Sequence, residues 1–453
     1  MGRRSQQRMR WREDAQDDRE DCMMEAELVR VAPALQVRGG QEGRGLPHQR
    51  AFADAEERGQ WIPKLRIAGA VLTAVLFTWA CASPSTPASD TAQPLFEQTR
   101  LEQAGDAGVH TYRIPALVVA SDGTLIAAFD ARNKSSGDLP GDIDIVIRRS
   151  HDLGRSWSPA RRVVDFSQGA GGGDPSLLMD RSNGRLFLFY EYAPMGVGLF
   201  SSNADRDPES MRTVHPHIVW SDDQGVTWQG PQDLIGQIKP PGATGMFATS
   251  GHGIQLSQNS PAPGRLLQPY AWLDAQRRMH AANAYSDDHG ATWKLGASIG
   301  AGLDENRAVE LADGRVMQNL RSFTKDRSHR LVALSHDGGV TYDAARLESQ
   351  LPDPRNNADI IRVAPDSVRG SSDAEMLLFS NTADRTQRRN LTVRLSYDSG
   401  RSWPVSKVLC AGNAMYSTMA RLPDGTFGIL YENGHNQGLT FVRFNLAWLT
   451  ASP

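Results

Sequence analysis

Short runs of apolar residues, or of apolar residues alternating with polar ones, recur along the chain from about residue 93 onward. Clear examples occupy residues 125–129, 186–190, 266–270, 376–380, 427–431 and 439–444. Runs of about four to eight residues bounded by turn residues are typical of β-strands. No convincing amphipathic helical period lies between them, so the pattern predicts an all-β fold.

A second pattern, Ser-x-Asp-x-Gly-x-Ser/Thr-aromatic, occurs five times, and such an apolar run precedes the copies. The copies run from Ser150 to Trp157, Ser221 to Trp228, Ser286 to Trp293, Ser335 to Tyr342 and Ser396 to Trp403. Ser and Asp side chains hydrogen-bond nearby backbone N–H groups, Gly adopts positive φ, and the aromatic ring anchors the loop by burial. Each copy is therefore predicted to connect two strands of a hairpin.

The spacing of these turns, roughly 50–70 residues, favours an array of four-stranded propeller blades. Five turns and an unmarked last pair of strands predict a six-bladed β-propeller over residues 93–453. The final blade is expected to close with an N-terminal strand near residues 95–101, which would leave no open sheet edge.

The N-terminal part has a different composition. Residues 1–63 are rich in charge and lack periodicity, which predicts a disordered extension or one that does not belong to the translated protein. Residues 64–82 place Lys64 and Arg66 before an apolar run and are typical of a signal peptide, the alternative being an uncleaved membrane anchor. Residues 83–92 form a Ser/Pro/Thr tether.

A secretory segment implies that the protein is secreted, periplasmic or attached to the cell surface. Cys81 lies where a bacterial lipoprotein carries its lipid, although Thr78-Trp79-Ala80 matches the usual lipidation signal poorly. Membrane attachment through this segment therefore stays open as an alternative to release.

Composition excludes several other functions. The net charge of −3 gives no broad basic surface for nucleic acid, and Cys410 is the one cysteine beyond residue 92. The 11 histidines show no metal-ligand spacing; His215 and His217 flank Pro216 and are interpreted as packing or loop residues. Gly169 to Gly173 lacks the Lys-Ser/Thr of a phosphate loop. We expect neither a metal ion nor a cofactor.

Tyr112-Arg113-Ile114-Pro115 precedes the repeated turns, and in this combination the sequence from about residue 95 to 450 resembles the bacterial sialidases. Those enzymes join an Arg-Ile-Pro motif to several such turns, called Asp-boxes. The resemblance implies a monomeric exo-α-sialidase that hydrolyses terminal sialic acids of glycoproteins, glycolipids or oligosaccharides. It also implies retention of configuration through a tyrosyl-enzyme intermediate.

The resemblance assigns three arginines, Arg113, Arg321 and Arg388, to the substrate carboxylate, a group that guanidinium forks bind strongly. Arg385 and Arg389 are close competitors of Arg388. Glu432 is implied to orient Arg113, while Arg132 and Asp174 are implied to line the pocket around the sugar.

The same resemblance makes Tyr416 the nucleophile and Glu305 its base, because a neutral phenol avoids the repulsion that a carboxylate nucleophile would meet from an acidic substrate. Asp138 is implied as the acid/base on a loop. Asp142 and Asp144 are its rivals, and Asp144 alternates with apolar residues as in a strand.

Two other functions fit parts of this pattern. A non-catalytic glycan-binding propeller would also carry Asp-boxes, but the presence of Tyr416, Glu305 and Asp138 argues against it. A trans-sialidase or intramolecular sialidase would use the same residues and release a different product, so only product analysis separates it from a hydrolase.

Overall fold

The computed structural model describes residues 93–166, 169–323 and 328–452, and these belong to one compact unit. They form twenty-six β-strands and two short α-helices, α1 (Ile235–Ile238) and α2 (Leu446–Thr450), which confirms the all-β class. Within these ranges, neither helix has the length and hydropathy needed to cross a bilayer. The predicted extension (1–63), signal peptide or anchor (64–82) and tether (83–92) lie outside the described residues.

The strands follow one another in sheets. Strand β1 (Phe96–Gln103) pairs with the end of the chain, and the first sheet holds β2 (Thr111–Val119), β3 (Leu125–Arg132), β4 (Ile143–Ser150) and β5 (Arg161–Val164) in that order. The second sheet has the order β11-β6-β7-β8-β9, with bounds β6 (Gly171–Asp180), β7 (Arg185–Ala193), β8 (His215–Ser221), β9 (Gln229–Asp233) and β11 (Gly251–His252).

Two further sheets complete the middle of the chain. The third comprises β10 (Gly245–Ala248), β13 (Leu266–Leu273), β14 (Met279–Ser286) and β15 (Lys294–Leu295), with β12 (Ile254–Gln255) on β13 and β16 (Gly300–Ala301) on β14. The fourth comprises β17 (Leu303–Glu310), β18 (Val316–Ser322), β19 (His329–Ser335) and β20 (Arg346–Pro352).

The last sheet has seven strands in the order β1-β26-β25-β24-β23-β22-β21. Its remaining bounds are β21 (Asp359–Arg362), β22 (Leu377–Thr382), β23 (Arg389–Ser396), β24 (Val405–Arg421), β25 (Phe427–Asn433) and β26 (Gly438–Phe444). The first part of β24 pairs with β23 and its second part, from Ala414, pairs with β25. The closing strand expected near residues 95–101 is present as β1, antiparallel to β26.

Each sheet shares a buried apolar cluster with the next one. The shared pairs are Ile126 with Leu188, Phe189 with Tyr270, Ala281 with Leu320, Met317 with Phe379, and Phe441 with Phe129. The last of these pairs joins the seven-stranded sheet back to the first. The sheets therefore form a closed, propeller-like arrangement, held together by apolar burial between neighbouring faces.

The repeated sequence forms the same hydrogen-bonded turn five times. In the first copy the Ser150 hydroxyl donates to Asp152 (2.8 Å), and Asp152 accepts from the N–H (2.9 Å) and hydroxyl (2.6 Å) of Ser156. Corresponding bonds recur in the other copies. Gly154 has a φ of 85°, and a Cβ there would lie 2.0 Å from the Phe441 ring of the neighbouring sheet. The turn thus requires glycine for both conformation and space.

Candidate active site

Strands from different sheets lie side by side, with β2 beside β6 and β24, and β17 beside β21. Four of these strands are irregular where predicted site residues occur. The register shifts fall between Arg113 and Ala116, Gly173 and Ser176, Leu303 and Asn306, and Ala414 and Ser417. A β-bulge breaks the regular alternation of side chains and redirects one of them. These strands also contribute to the apolar core. The bulges therefore allow them to direct polar side chains toward one end of the ring.

Tyr416 and Glu305 form the centre of the site. The Tyr416 hydroxyl donates to Glu305 Oε1 at 2.5 Å, and Arg321 Nη1 lies 2.6 Å from Glu305 Oε2 and 3.1 Å from the Tyr416 oxygen. Burial, followed by the charge of Glu305, raises the pKa of Tyr416 well above its ordinary value. Burial opposes ionisation of Glu305, but Arg321 and the Tyr416 hydrogen bond lower the pKa of this carboxyl. The pair is thus a neutral phenol that donates to an ionised carboxylate.

Two more guanidinium groups approach the same phenol. The Arg113 and Arg388 guanidinium carbons lie 5.7 and 5.5 Å from the centre of the Tyr416 ring. Arg388 lies on the turn before β23 and donates to the Arg355 carbonyl (3.0 Å). With Arg321, the three predicted arginines therefore surround one residue, although they come from three separate parts of the chain.

The alternatives to Arg388 point to other partners. Arg389 Nε lies 2.6 Å from Asp384, five residues earlier on the same turn. Arg385 is exposed on that turn. Of the three neighbouring arginines, Arg388 is the one that the structure places against Tyr416.

Glu432 contacts Arg113 and the backbone next to it. Its carboxylate accepts from Arg113 Nε (3.3 Å) and from the backbone N–H of Ile114 (2.8 Å). Ile114 has a φ of 59°, a left-handed conformation that is costly for a β-branched residue. The buried Glu432 bond stabilises this bulge and with it the direction of the Arg113 side chain.

Asp138 lies on the loop between β3 and β4, with its side chain 81% exposed at the rim of the site. Its carboxylate is 2.7 Å from Arg132 Nη1 and 3.6 Å from Arg113 Nη1. Burial of the surroundings acts to raise the pKa of Asp138, but Arg132 and then Arg113 outweigh this and lower it. Its rivals are engaged elsewhere, Asp142 with Lys134 (2.7 Å) and Asp144 with Arg162 (2.7 Å).

Two glycines fix the position of the Asp138 loop. A Cβ at Gly171 would lie 2.3 Å from the Gly141 carbonyl oxygen, and one at Gly198 would lie 2.4 Å from the Leu139 carbonyl oxygen. Gly198 belongs to the loop between β7 and β8, so that loop packs directly on the segment that carries Asp138.

Three acidic residues lie close together in this part of the site: Asp130, on Arg132, and Glu191 are buried, and Asp174 is half-buried. Asp174 donates its backbone N–H to Asp130 (3.1 Å), and Glu191 is the cross-strand partner of Gly173. Burial raises the pKa of Asp130 to about 6 despite Arg132. Burial, followed by the charges of Asp138 and Asp130, raises the pKa of Glu191 to about 8. Burial and the charges of Asp130 and Glu191 also raise the pKa of Asp174. Glu191 therefore keeps its proton at neutral pH.

Sequence reasoning missed Asp130, Glu191 and Asp304. Asp304 Oδ2 lies 3.2 Å from Arg321 Nε, and burial raises its pKa to about 6. Glu191 did carry a signal, because it interrupts the apolar run from Phe187 to Tyr192. Burying a carboxylate in such a run is costly and therefore rare, so its presence there suggests a functional residue.

A separate cavity of about 210 Å³ lies at the opposite ends of the central strands, where Val118, Met179, Glu310, Arg362 and Arg421 are among its lining residues. Between the two ends, Asp359 is buried and contacts His252 (3.1 Å) and Arg307 (3.4 Å). The residues around Tyr416 therefore form their own site, distinct from this cavity.

The chain is similar in sequence and structure to known proteins. The sequence profile of the BNR repeat-like domain matches residues 123–429. The chain is 42% identical over 400 residues to a sialidase of Micromonospora viridifaciens, which covers 86% of this chain and 61% of that protein's length. It is 30% identical over 369 residues to Sialidase-2 of Mus musculus, covering 75% and 93% of the two chains. A solved structure, Hadza microbial sialidase Hz136, has 30% identity and a TM-score of 0.70, covering 78% of this chain and 69% of that one.

Proposed function

Because this chain belongs to the sialidase family, we propose that it is an exo-α-sialidase. Its substrates are terminal sialic acids on glycoproteins, glycolipids or oligosaccharides, which it hydrolyses with retention of configuration. One observation carries the proposal: a buried tyrosine donates to an ionised glutamate (2.5 Å) while three guanidinium groups surround it. A hydrolase for neutral sugars has no need of three cations at its nucleophile, whereas a substrate with a carboxylate on its anomeric carbon does.

In the first step, Arg113, Arg321 and Arg388 bind the substrate carboxylate and set the anomeric carbon against Tyr416. The Tyr416 oxygen forms a bond to that carbon as the bond to the leaving glycosidic oxygen breaks. Glu305 takes the phenolic proton, and Asp138 donates a proton to the leaving oxygen. The products of this step are a covalent sialyl-enzyme, in which the Tyr416 oxygen is joined to the anomeric carbon as an aryl glycoside, and a free aglycone.

In the second step, the Asp138 carboxylate takes a proton from water as the water oxygen attacks the anomeric carbon. The bond from that carbon to the Tyr416 oxygen breaks, and Glu305 returns its proton to the phenolate. Two displacements at one carbon give overall retention. All protein groups then return to their starting protonation states.

Charge neutralisation explains how Asp138 acts first as an acid. In the ligand-free site Arg132 and Arg113 favour its ionised form. A bound substrate carboxylate offsets part of the positive charge of Arg113, and the sugar excludes water, so the pKa of Asp138 rises when substrate is present. The proton is therefore loaded together with substrate.

We also propose that the ring has six blades. The two pairings of β24, with β23 and with β25, support counting the seven-stranded sheet as two blades, which makes six in the ring.

We infer the division of the chain into an extension (1–63), a signal peptide or anchor (64–82), a tether (83–92) and a catalytic domain (93–453). The protein acts as a secreted, periplasmic or surface-attached monomer.

Hydrolysis of a fluorogenic α-sialoside, with the product anomers followed by NMR, tests the proposal. We expect the wild type to release the α-anomer first, and Tyr416→Phe to lose more than about 10³-fold in kcat/KM. Tyr397→Phe, at a tyrosine that is 47% exposed, is the matched control and should keep full activity.

Other outcomes would change the assignment. Initial release of the β-anomer would contradict retention. A folded wild type that turns over no substrate, yet melts at a higher temperature with sialic acid, would be a glycan-binding propeller. Transfer of the sugar to an added acceptor, or an anhydro product, would identify a transferase.

A further inference from the structure

Two histidines and an aspartate meet at one end of the second sheet, on its outer strands. His215 and His217 lie on β8, and Asp233 ends β9. Their donor atoms all lie within 4.8 Å of one another. We propose that these three residues bind a divalent transition-metal ion such as Zn²⁺, and that the ion fastens the loop between β7 and β8. The proposal does not depend on the catalytic activity.

The strand geometry directs the three side chains to one place. Residues i and i+2 of a strand face the same side, so His215 and His217 share a face of β8. Asp233 is the cross-strand partner of His217. His215 Nδ1 lies 2.7 Å from Asp233 Oδ2, and His217 Nε2 lies 3.7 Å from the same oxygen.

The outer nitrogen of each imidazole is already engaged. His215 Nε2 lies 2.7 Å from the Ser210 carbonyl oxygen, and His217 Nδ1 lies 3.2 Å from the Tyr190 hydroxyl. A carbonyl can only accept, so His215 carries a proton on Nε2. Its Nδ1 faces the Asp233 carboxylate, and a metal ion would take the place of the Nδ1 proton between these two atoms. Metal-binding histidines usually have such an oxygen partner on the far nitrogen, because it fixes the ring and its tautomer.

The donor set and its access suit zinc. Two imidazoles and one carboxylate with one open position are ligands that Zn²⁺ accepts, at about 2.0–2.2 Å from each donor. An ion requires the donors to separate slightly from their present hydrogen-bonded distances. The side chains are 2%, 11% and 15% exposed for His215, His217 and Asp233, so the site is enclosed yet open on one side to water.

The ion would act on the loop between β7 and β8, residues 194–214. Ser210 in this loop is bonded to His215, and the buried Lys239 donates to the carbonyls of Asn203 (2.9 Å) and Asp205 (2.8 Å). The same loop carries Gly198, which packs on the Asp138 segment. A cation at His215 therefore strengthens the attachment of this loop through Ser210, which adds to its attachment through Lys239. Because the loop packs on the Asp138 segment, the cation also stabilises the rim of the active site.

His280 supplies a matched comparison. It contacts Asp274 at 3.1 Å and Ser298 at 2.9 Å, with 13% exposure for both members of the ion pair. It has no second histidine beside it: among the described residues, the group at His215 is the one set of three metal-ligating side chains this close together. Replacing His280 thus removes a similar His–Asp pair without touching the proposed site.

The test is binding of Zn²⁺ to the chelator-treated, full-length protein, measured by calorimetry and by thermal unfolding. We expect one ion per chain and a rise in melting temperature of about 2–5 °C. Co²⁺ should give the absorption spectrum of a low-coordinate site with nitrogen ligands. His217→Gln and Asp233→Asn should weaken binding by more than about 100-fold, Tyr190→Phe by about 10-fold, and His280→Gln should leave it unchanged.

The proposal is overturned if the folded wild type binds no Zn²⁺, since the three residues then serve only as a hydrogen-bonded cluster. It is equally overturned if binding survives both His217→Gln and Asp233→Asn, because the ion then lies elsewhere. Asp233→Asn is nearly isosteric and can still accept hydrogen bonds, so it keeps the test valid if His217→Gln does not fold. Circular dichroism checks the folding of each variant, so the test stands whether or not the protein turns over a sialoside.

Discussion

The repeated turns and the active site both depend on carboxylates, but they stabilise them differently. In the turns, Asp152 and Asp223 receive hydrogen bonds from the hydroxyl and N–H of the residue four positions later, and these bonds lower the pKa of each to about 2. In the site, Glu305 is bonded to Tyr416, 111 residues away, and to Arg321 on the next strand. A turn can form as soon as its own segment folds, whereas the site exists only when several sheets are assembled.

Among the variants that compare the site with the turns, the largest effect is expected at Glu305. Glu305→Gln keeps the shape and a hydrogen-bond acceptor for Tyr416 but cannot take up its proton, so kcat should fall by about 10²–10⁴-fold. Steady-state kinetics with a sialoside measures this. Asp152→Asn in the first turn is the control, with activity within about twofold of the wild type. Equal losses in the two variants would contradict the separation of the two regions.

The next effect separates two neighbouring arginines. Arg388→Ala removes a cation beside Tyr416, and kcat/KM should fall by about 100-fold because a charged contact to the substrate carboxylate is lost. Arg389→Ala breaks only the pair with Asp384 and should change kcat/KM by less than about twofold. If Arg389→Ala proved the more damaging variant, the roles of the two arginines would have to be exchanged.

A smaller effect on stability is expected in the turns. Asp152→Ala removes hydrogen bonds to Ser156 and should lower the free energy of unfolding by about 1 kcal/mol with activity unchanged. Because the folded-state pKa of Asp152 is depressed to about 2, its contribution is complete above about pH 4 and lost as the pH falls toward 2.

Thermal unfolding of the wild type and Asp152→Ala at pH 6 and pH 2.5 measures this dependence. The two melting temperatures should differ at the higher pH and converge at the lower one. A difference that grows on acidification would show that the carboxylate is not stabilised in its ionised form.

The smallest effect is expected at Glu191. Burial raises its folded-state pKa to about 8, so the wild type is stabilised below the unfolded value and loses this stabilisation as the pH rises through 8. The glutamine of Glu191→Gln cannot ionise, so the variant does not lose stability in this way as the pH rises. The variant should melt about 1–3 °C above the wild type at pH 9 and show no such advantage at pH 5. A lower melting temperature than the wild type at pH 9 would refute the buried, protonated acid.

Much of the architecture follows from local sequence. The strands at 125–129, 186–190 and 439–444 were predicted from apolar runs and correspond to β3, β7 and β26. The turns were predictable because each one satisfies its polar groups within a few residues. Arg113, Arg321, Glu305 and Tyr416 were identified only through resemblance to a family, since no local pattern distinguishes them from surface arginines or core tyrosines.

Tertiary structure decided the rest. Arg388 and Arg389 are equivalent in the sequence, and only the fold turns one to Tyr416 and the other to Asp384. Asp233 is separated from His215 by 18 residues, and the pairing of β8 with β9 brings them together. The physical reason is the same in each case. The hydrogen bonds of a turn join residues that are close in sequence, so the local sequence determines them. The charge, burial and pKa of the active-site residues depend instead on which distant strands pack together.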